Sequence, residues 1–291
     1  MSLLGYTRFL SRMGHRVVSV GATTWFDAAP RVFMPLPFDR EIEPLSFDWQ
    51  ALFAQGCTAA RCLVPPAYGR PSYVLAAEDR DYGLHSLESK ARNQTRRGLE
   101  ACDVRPVQFS ELGSHGIALQ RDTLKRQGRR IPHDLRAYWS RYFENAAQTE
   151  GALAWGAFRG KDLAAYLIAF QVEDTAHVVI LRSAVALLRY YPNNALLFAF
   201  LRHMLGSGAA RRVSIGFEPF QTNLASLDRF KEGLGFRRYP VCQYVRLAPP
   251  LPTLLRRPLL AGSIACLRLL SRNETASKVA GLLECYATQK T

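Results

Sequence analysis

A lysine within an apolar helical stripe is the position in this sequence with the clearest potential for chemistry. In the segment LASLDRFKEGLGF, helical spacing places Lys231 between Leu224 and Leu227. Phe230 and Leu234 extend the same stripe. Because lysine is rarely buried without a partner, its ammonium group either reaches solvent near the helix C-terminus or faces an anionic substrate group or developing oxyanion. The spacing alone leaves both interpretations open.

A carboxylate, Glu218, ends the predicted strand that precedes this helix. Ligands of open α/β sheets bind in crevices at the carboxyl ends of the strands. A carboxylate at such an edge can orient an amine or accept its proton. The competing interpretation is an ordinary surface glutamate in a loop.

Polar side chains also gather before another predicted helix, in the segment LRYYPNNALL. The free backbone N–H groups of a helix N-terminus attract phosphate. We predict that Asn193 is the N-cap of this helix and that ligand contact is an additional role of the segment. The side chains concerned are Tyr190, Tyr191, Asn193 and Asn194.

Four basic residues lie on a further predicted helix, SLESKARNQTRRGLE, at residues 86–100. Helical spacing places its apolar residues on one face, with the basic residues on the flanks of that face. Such a helix can grip a nucleic acid or form the wall of a cleft for a phosphate-bearing substrate, and the local sequence does not distinguish the two. The basic residues are Lys90, Arg92, Arg96 and Arg97.

The sequence lacks the motifs of several enzyme classes. It has no GxSxG, no GxxxxGK and no GxGxxG, which disfavours hydrolases, P-loop enzymes and dinucleotide-dependent oxidoreductases. Its six histidines are isolated and its six cysteines form no CxxC pair, so no metal site is predicted. The scattered cysteines, the absence of a signal-peptide core and the lack of a ~20-residue apolar stretch together predict a cytoplasmic protein without a transmembrane segment.

The composition predicts a folded protein with an anionic partner. The chain has 291 residues, of which 48% are hydrophobic and 21% charged, as in ordinary globular proteins. Its 38 basic and 24 acidic residues give a formal charge of +14. This surplus favours nucleic acid, an acidic membrane surface or a phosphorylated ligand, without choosing among them.

The predicted elements change character along the chain. The first 80 or so residues are expected to form strands and loops. After a helix containing Trp139 and Tyr142, the segments ALAWGAF, LAAYLIAFQ and AHVVILRSAVAL are predicted to be three antiparallel strands. A helix that begins at Pro192 then leads to the strand RRVSIGFE. A strand–helix–strand unit of this kind predicts that its two strands are parallel.

The C-terminal residues are predicted to form an amphipathic helix after the linker PPLP. Such a tail docks on the protein's own surface or on a partner, and peripheral contact with a membrane is a further option. The sequence therefore predicts three regions: an abbreviated β-rich subdomain at 1–84, a main domain at 85–248 and a basic helical tail at 249–291. The basic residues of the tail include Arg256, Arg257, Arg268 and Arg272.

The order and spacing of these segments resemble the FemAB-like branch of the GNAT acyltransferase superfamily over residues 85–245. The resemblance is carried by RNQTRR, by AYWSRYF, by PNNALL after a strand and by FKEGLGF before a strand. It implies an α+β, GNAT-like fold with a mixed sheet and flanking helices, preceded by an abbreviated N-terminal GNAT-like half. The turn RYYPNN lacks the glycines with which ordinary GNAT acetyltransferases hold the coenzyme A pyrophosphate.

The resemblance implies an N-acyltransferase that moves an acyl group from a coenzyme A thioester to a small-molecule amine. Glu218 is expected to position or deprotonate the amine. Lys231 stands where GNAT enzymes often have a tyrosine and FemAB-like proteins usually have a lysine, and it is expected to stabilise the oxyanion or a donor phosphate. The predicted substrate- and donor-binding residues are Arg92, Asn93, Arg96, Arg182, Tyr190, Tyr191, Asn193 and Asn194.

Two alternatives remain open. FemAB-like enzymes commonly take the acyl group from an aminoacyl-tRNA, although the short N-terminal half favours the smaller donor. A non-catalytic, GNAT-shaped binding protein is the other alternative, since the glycine-rich turn is missing.

Overall fold

The computed structural model describes residues 3–218, 220, 225–255, 257–270 and 274–290. The chain forms two compact units, each assembled from separate segments. The division into consecutive regions at residues 84 and 248 stays a prediction. The first unit comprises Met1–Met13, Leu75–Gly216 and Leu227–Arg237, and the second comprises Gly14–Val74, Phe217–Ser226 and Arg238–Thr291.

Helices and strands account for most of the described residues. The helices are α1 (Leu3–Arg12), α2 (Trp49–Ala54), α3 (Ser89–Ala101), α4 (Phe109–Arg126), α5 (Leu135–Ala147), α6 (Pro192–Gly206), α7 (Ala225–Gly233), α8 (Leu251–Leu254), α9 (Arg257–Leu269) and α10 (Glu274–Thr288). The strands are β1 (Val17–Val20), β2 (Thr23–Ala29), β3 (Val32–Leu36), β4 (Ala59–Val64), β5 (Arg70–Ala77), β6 (Asp103–Pro106), β7 (Ala152–Arg159), β8 (Asp162–Val172), β9 (Thr175–Ser183), β10 (Arg212–Phe217) and β11 (Arg237–Leu247).

The sheet of the first unit has the strand order β10-β9-β8-β7-β6. Strands β7, β8 and β9 form an antiparallel meander, as predicted. Helix α6 connects β9 to β10, and the two strands pair in parallel, which confirms the prediction made from the strand–helix–strand order. The fold is therefore α+β, with a mixed sheet and flanking helices.

The core of the first unit lies on both faces of β8, which α4 and α6 contact. Residues 163–170 of β8 are almost wholly buried, and the strand consequently has a continuous apolar sequence without alternation. Leu196, Leu197, Phe200 and Leu201 of α6 are likewise fully buried. Such a core fixes the ends of β9 and α6, where the predicted site residues lie.

Helix α4 was not predicted from the sequence. Its buried residues recur at helical spacing, but Gly113 has φ 26° and ψ −129°, so the helix is kinked near its start. Because glycines and polar residues interrupt the pattern at this point, the amphipathic signal is weak. The buried residues are Phe109, Leu112, Gly116, Ile117, Leu119, Gln120 and Thr123.

The second unit has the strand order β1-β2-β3-β4-β11-β5. Its aromatic core contains Trp25, Trp49 and Tyr244, all at most 9% exposed. The expectation that the first 80 residues contain only strands and loops was wrong, since α1 and α2 lie there. Helix α2 is short, and the carboxylate of Asp48 caps it by accepting the N–H of Ala51 at 2.9 Å.

The C-terminal tail forms α8, α9 and α10, where the sequence predicted a single helix. Leu260 of α9 and Leu283 of α10 pack with Val245 and Leu247 of β11 in one cluster. Among the tail arginines named above, Arg256 and Arg272 lie outside the described residues. No helix in the described ranges is long and apolar enough to cross a membrane.

Candidate functional site

The ladder between the parallel strands β9 and β10 is short. It comprises the pairs Thr175 with Arg212, Ala176 with Val213, and His177 with Ser214. Beyond these pairs β9 continues to Ser183 without β10 as a partner. Within the described ranges, this part of β9 can therefore offer backbone N–H and C=O groups to an extended ligand, although the carbonyl of Leu181 already accepts Nη1 of Arg182 at 2.8 Å.

An amide side chain stands at the end of this edge. Asn193, in the first turn of α6, donates its Nδ2 to the hydroxyl of Ser183 at 3.1 Å. Its carbonyl Oδ1 is buried and has no hydrogen-bond partner among the described residues. A buried acceptor in this state costs free energy unless a donor is supplied. Asn193 is thus suited to accept an N–H or O–H group from a ligand.

The N-terminus of α6 differs from the prediction. Tyr191, with φ 54° and ψ 41°, is the N-cap, whereas the sequence analysis assigned that role to Asn193. Pro192 occupies the first helical position, where its missing N–H costs nothing and its fixed φ suits the helix. This proline shifts the cap to the residue before it and turns the side chain of Asn193 toward Ser183.

This helix end has few free backbone N–H groups for a phosphate. The N–H groups of Asn194 and Ala195 both bind the carbonyl of Tyr191, at 3.1 and 3.2 Å, and Pro192 has no N–H. Helix α3 also approaches closely: a Cβ on Gly98 would lie 2.7 Å from the carbonyl oxygen of Tyr191. Any phosphate near this end would have to be bound chiefly by side chains.

We expect Gly98→Ala to lower the free energy of unfolding by about 1–3 kcal/mol, because the added methyl overlaps backbone atoms that cannot rotate away. Chemical denaturation of the purified protein measures this. Gly262→Ala in α9 is the matched control, since nothing lies within 4 Å of its added Cβ. That substitution should stabilise by about 0.5–1 kcal/mol through helix propensity. Equal effects at the two glycines would contradict the close contact of α3 with α6.

Three arginines surround the tyrosines at the start of α6. The guanidinium carbon of Arg97 lies 5.0 Å from the ring centre of Tyr191. The corresponding distances to the ring of Tyr190 are 3.7 Å for Arg159 and 4.9 Å for Arg189. All three arginines are exposed. Stacking on the rings orients the guanidinium groups. Nη1 of Arg159 donates to the carbonyl of Ala101 and Nη1 of Arg97 to the hydroxyl of Tyr191, at 3.3 and 3.5 Å, and the other N–H groups can bind phosphate oxygens. We call Arg97, Arg159 and Arg189 the arginine–tyrosine cluster.

The other predicted binding residues of α3 have different surroundings. Asn93 and Arg96 are exposed. Arg92 is half-buried and donates Nη2 to the carbonyl of Leu87 at 2.9 Å, while its buried Nε has no partner among the described residues. Asn194 is buried and faces α3 through a long contact of 3.5 Å with Gln94. Of these, Arg96 and Asn93 are free to meet a ligand, and Asn194 packs between the helices.

Arg182 is held on the side of β9 that faces α4. Its Nε donates to Oε1 of Gln120 at 2.7 Å, and the amide of Gln120 donates to the hydroxyl of Tyr166 at 2.6 Å. Burial lowers the pKa of Arg182 below its usual value, and the positive charges of Arg129 and Arg126 act in the same direction. The structure therefore fixes Arg182 by a buried hydrogen-bond network that the sequence did not reveal.

Lys231 is buried near the end of α7. The residue is 8% exposed, and its Nζ lies 3.5 Å from Oδ1 of Asp228, which is also buried. Burial lowers the pKa of Lys231 and the charge of Asp228 partly opposes this. The side chain is only 11% exposed, which disfavours the interpretation that its ammonium group extends into solvent. The predicted apolar stripe also fails at Leu227, which is 43% exposed, while Leu224 lies outside the described residues.

Glu218 belongs to the second unit and is fixed by a polar network there. Its Oε2 accepts the hydroxyl of Ser72 at 2.9 Å, and Ser72 in turn accepts the amide of Gln243 at 2.6 Å. The guanidinium of Arg61 binds the same Gln243 side chain and lies 3.9 Å from the ring centre of Phe220. Burial lowers the pKa of Arg61 to about 10, against the influence of Cys285 and Glu218. Glu218 is therefore not an ordinary surface glutamate.

A shallow groove of about 420 Å³ lies elsewhere in the first unit, beside Leu99, Trp155 and Phe198. None of the predicted site residues lines it. The residues that sequence reasoning missed are side chains brought in from distant segments, namely Gln120, Arg159 and Ser183. Their only sequence signal is their polarity within otherwise apolar elements.

Structural comparison finds several similar solved structures. FemX aligns with a TM-score of 0.58 and 10% sequence identity, over 87% of this chain and 94% of FemX. The C-terminal domain of a protein described as a lysylphosphatidylglycerol synthetase from Agrobacterium fabrum aligns with a TM-score of 0.56 and 12% identity, over 86% and 89%. L-PGS from Bacillus licheniformis has a TM-score of 0.54 and 13% identity, over 86% and 91%.

The likeness lies in the fold rather than in the sequence. No model of a known family matches the sequence, and no curated protein matches it. The chain therefore has the same fold as FemX and L-PGS.

Proposed function

We propose that the protein is an acyltransferase that moves an acyl group from a phosphate-bearing donor to an amine. The observation that carries this proposal is the unpaired edge of β9, which ends at Ser183 beside the partnerless carbonyl of Asn193. An edge of this kind can bind the amides of an extended donor arm by adding hydrogen bonds to the strand. The name of one similar protein, lysylphosphatidylglycerol synthetase, also describes attachment of an acyl-type group.

The reaction needs little machinery beyond positioning. The amine nitrogen attacks the carbonyl carbon of the donor, an N–C bond forms, and the bond from that carbon to sulfur or oxygen breaks. The amine loses one proton, and the leaving thiolate or alkoxide gains one. A cation near the carbonyl oxygen stabilises the developing negative charge, and a carboxylate can take the proton from the amine.

Lys231 and Glu218 are our proposals for these two roles. Lys231 would supply the cation, since it is buried and its Nζ lies 3.5 Å from Oδ1 of Asp228, a long contact for an ion pair. Glu218 would supply the carboxylate, since a hydrogen bond from Ser72 fixes its position. The two residues belong to different compact units, so each proposal is tested by its own substitution.

Our preferred donor is a coenzyme A thioester, with the arginine–tyrosine cluster in place of the missing glycine-rich turn. Arginine side chains bind phosphate through paired N–H groups and do not need the backbone of the helix end. The exposed Arg96 and Asn93 of α3 would add further contacts. The amine acceptor would be a small molecule.

Aminoacyl-tRNA is the second candidate donor, and two observations favour it. The first turn of α6 has few backbone N–H groups left for a pyrophosphate, because the carbonyl of Tyr191 accepts hydrogen bonds from two of them. The likeness to FemX also extends over 94% of that chain, which weakens the argument that a shortened N-terminal half excludes a macromolecular donor. Both donors carry phosphates, and the number of phosphates that the protein contacts distinguishes one donor from the other.

The proposal is tested by thermal shift of the purified protein with acetyl-CoA, longer acyl-CoAs and aminoacyl-tRNA. We expect one donor to raise the melting temperature. Asn193→Ala should weaken that donor's binding by about 3–10-fold, because one hydrogen bond is lost. Gln50→Ala, which removes an exposed amide on α2 away from the proposed site, is the control and should change the affinity less. No stabilisation by any donor, or equal effects of the two substitutions, would count against the site.

A further inference from the structure

The outward face of α9 is apolar although it is exposed. Leu260, Ile264 and Leu267 pack inward within the second unit. On the other side, Leu259 is 62% exposed and Leu269 is 87% exposed, and Leu270 follows at 57%. The exposed residues between Leu259 and Leu269 are Ala261, Gly262, Ala265, Cys266 and Arg268. A helix that is apolar on both faces is unusual at a surface in contact with water.

The sequence around this face is basic. Residues 258–267 contain no charged side chain, whereas arginines stand at both ends of the stretch, at 256, 257, 268 and 272. Across residues 249–291 there are six basic and two acidic residues, a formal charge of +4. One described arginine of this set, Arg268, is paired with Glu284 at 2.5 Å. Apolar residues between basic ends are typical of helices that lie in a membrane interface.

We propose that α9 docks this protein on anionic phospholipid surfaces, with Leu259, Leu269 and Leu270 inserted among the lipids. This surface function goes beyond the proposed acyl transfer and does not depend on it. The leucines gain free energy when they leave water, and the flanking arginines are attracted to the lipid phosphates.

Charge decides between a lipid surface and a second copy of this chain as the partner. If two copies associated through this face, two segments that each have a formal charge of +4 would be brought together. An anionic membrane instead presents the opposite charge. The helix also lacks the length and apolarity to cross the bilayer, which suits a position in the plane of the interface.

The test is co-sedimentation of the full chain with vesicles of phosphatidylcholine alone or of phosphatidylcholine mixed with phosphatidylglycerol. We expect binding to the anionic vesicles only, and we expect it to weaken as sodium chloride is raised. The triple variant Leu259→Gln, Leu269→Gln, Leu270→Gln should reduce the partition coefficient by about tenfold or more. Leu45→Gln is the matched control, because Leu45 is 80% exposed elsewhere in the second unit.

Exposed Cys266 supplies a second, independent readout. Labelled with an environment-sensitive fluorophore, it should show a blue shift on addition of anionic vesicles. Cys266→Ser removes the labelling site, so any signal that remains in this variant comes from a label on the half-buried Cys242. The other four cysteines are buried. Melting curves of all variants establish that they are folded, as expected for substitutions at exposed positions.

Several outcomes would overturn the proposal. One is binding of similar strength to neutral vesicles, and another is unchanged vesicle binding of the triple variant. Absence of binding together with a dimer that the triple variant dissociates would assign the face to a second copy. Absence of binding by a monomer would leave α9 without this role.

Discussion

Replacing Lys231 with methionine is expected to slow acyl transfer by about 10²–10³-fold while leaving donor affinity close to that of the wild type. Methionine retains the length and apolar stem of lysine and removes the charge that would stabilise the oxyanion. The measurement is the steady-state rate with the donor that the thermal-shift panel identifies, alongside the donor's binding constant. A substitution at a residue that only shaped the fold would change both quantities or neither.

Asp228→Asn separates the two explanations of Lys231, because it removes the ion pair and keeps the ammonium group. If Lys231 acts on the reaction, Asp228→Asn should retain most of the activity at neutral pH. As the pH is raised, the rate of the variant should begin to fall at a lower pH than the rate of the wild type. The reason is that Asp228 raises the pKa of Lys231 against the effect of burial, and a cationic role ends when the lysine loses its proton.

Glu218→Gln is the corresponding substitution for the carboxylate. Glutamine can still accept the hydroxyl of Ser72, so the network with Gln243 is expected to persist. The rate should fall by about 10²–10⁴-fold if Glu218 takes the proton from the amine. Equal losses of rate in Lys231→Met and Asp228→Asn would show that Lys231 serves the structure alone. An unaffected rate in Glu218→Gln would show the same for Glu218.

Reversal of two charges in the arginine–tyrosine cluster is the second test with a large effect. Arg97→Glu combined with Arg189→Glu should weaken binding of acyl-CoA by about 100-fold or more, because two charge-assisted contacts are lost and repulsion replaces them. Isothermal titration at constant ionic strength measures this. Both arginines are exposed, so the variant is expected to fold.

Arg126→Glu with Arg129→Glu is the control, since it reverses two exposed charges at the end of α4 rather than at the start of α6. For a coenzyme A donor, this control should weaken binding much less than the cluster variant does, because Arg126 and Arg129 act on Arg182 only through their charge. Affinity should fall by less than about tenfold between 50 and 200 mM salt. A tRNA donor would make many phosphate contacts. Both double variants would then bind weakly, and the fall with salt would reach about 10³-fold or more.

The sequence was sufficient to predict the elements whose signals are local. The meander β7–β8–β9 follows from apolar segments separated by turns, and the parallel pairing of β10 with β9 follows from the intervening helix α6. The start of α6 at Pro192 was also predictable, because proline is favoured at the first helical position. The order of these elements was enough to indicate an α+β fold with a mixed sheet, and FemX shares the fold of this chain.

Contacts between distant segments were not predictable in this way. Helical spacing indicated an apolar stripe through Lys231, but only the packed structure shows that Leu227 is exposed while Lys231 is buried beside Asp228. The link from Tyr166 through Gln120 to Arg182 joins three elements, one of which was not predicted.

The physical reason is that a local pattern reports which residues prefer to leave water, whereas a site depends on which polar groups meet after packing. Composition and charge indicated an anionic partner from the sequence alone. The end of the β9–β10 ladder, the partnerless carbonyl of Asn193 and the hydrogen bond from Ser72 to Glu218 required the tertiary structure, because each joins residues that are remote in sequence or depends on where a strand loses its neighbour.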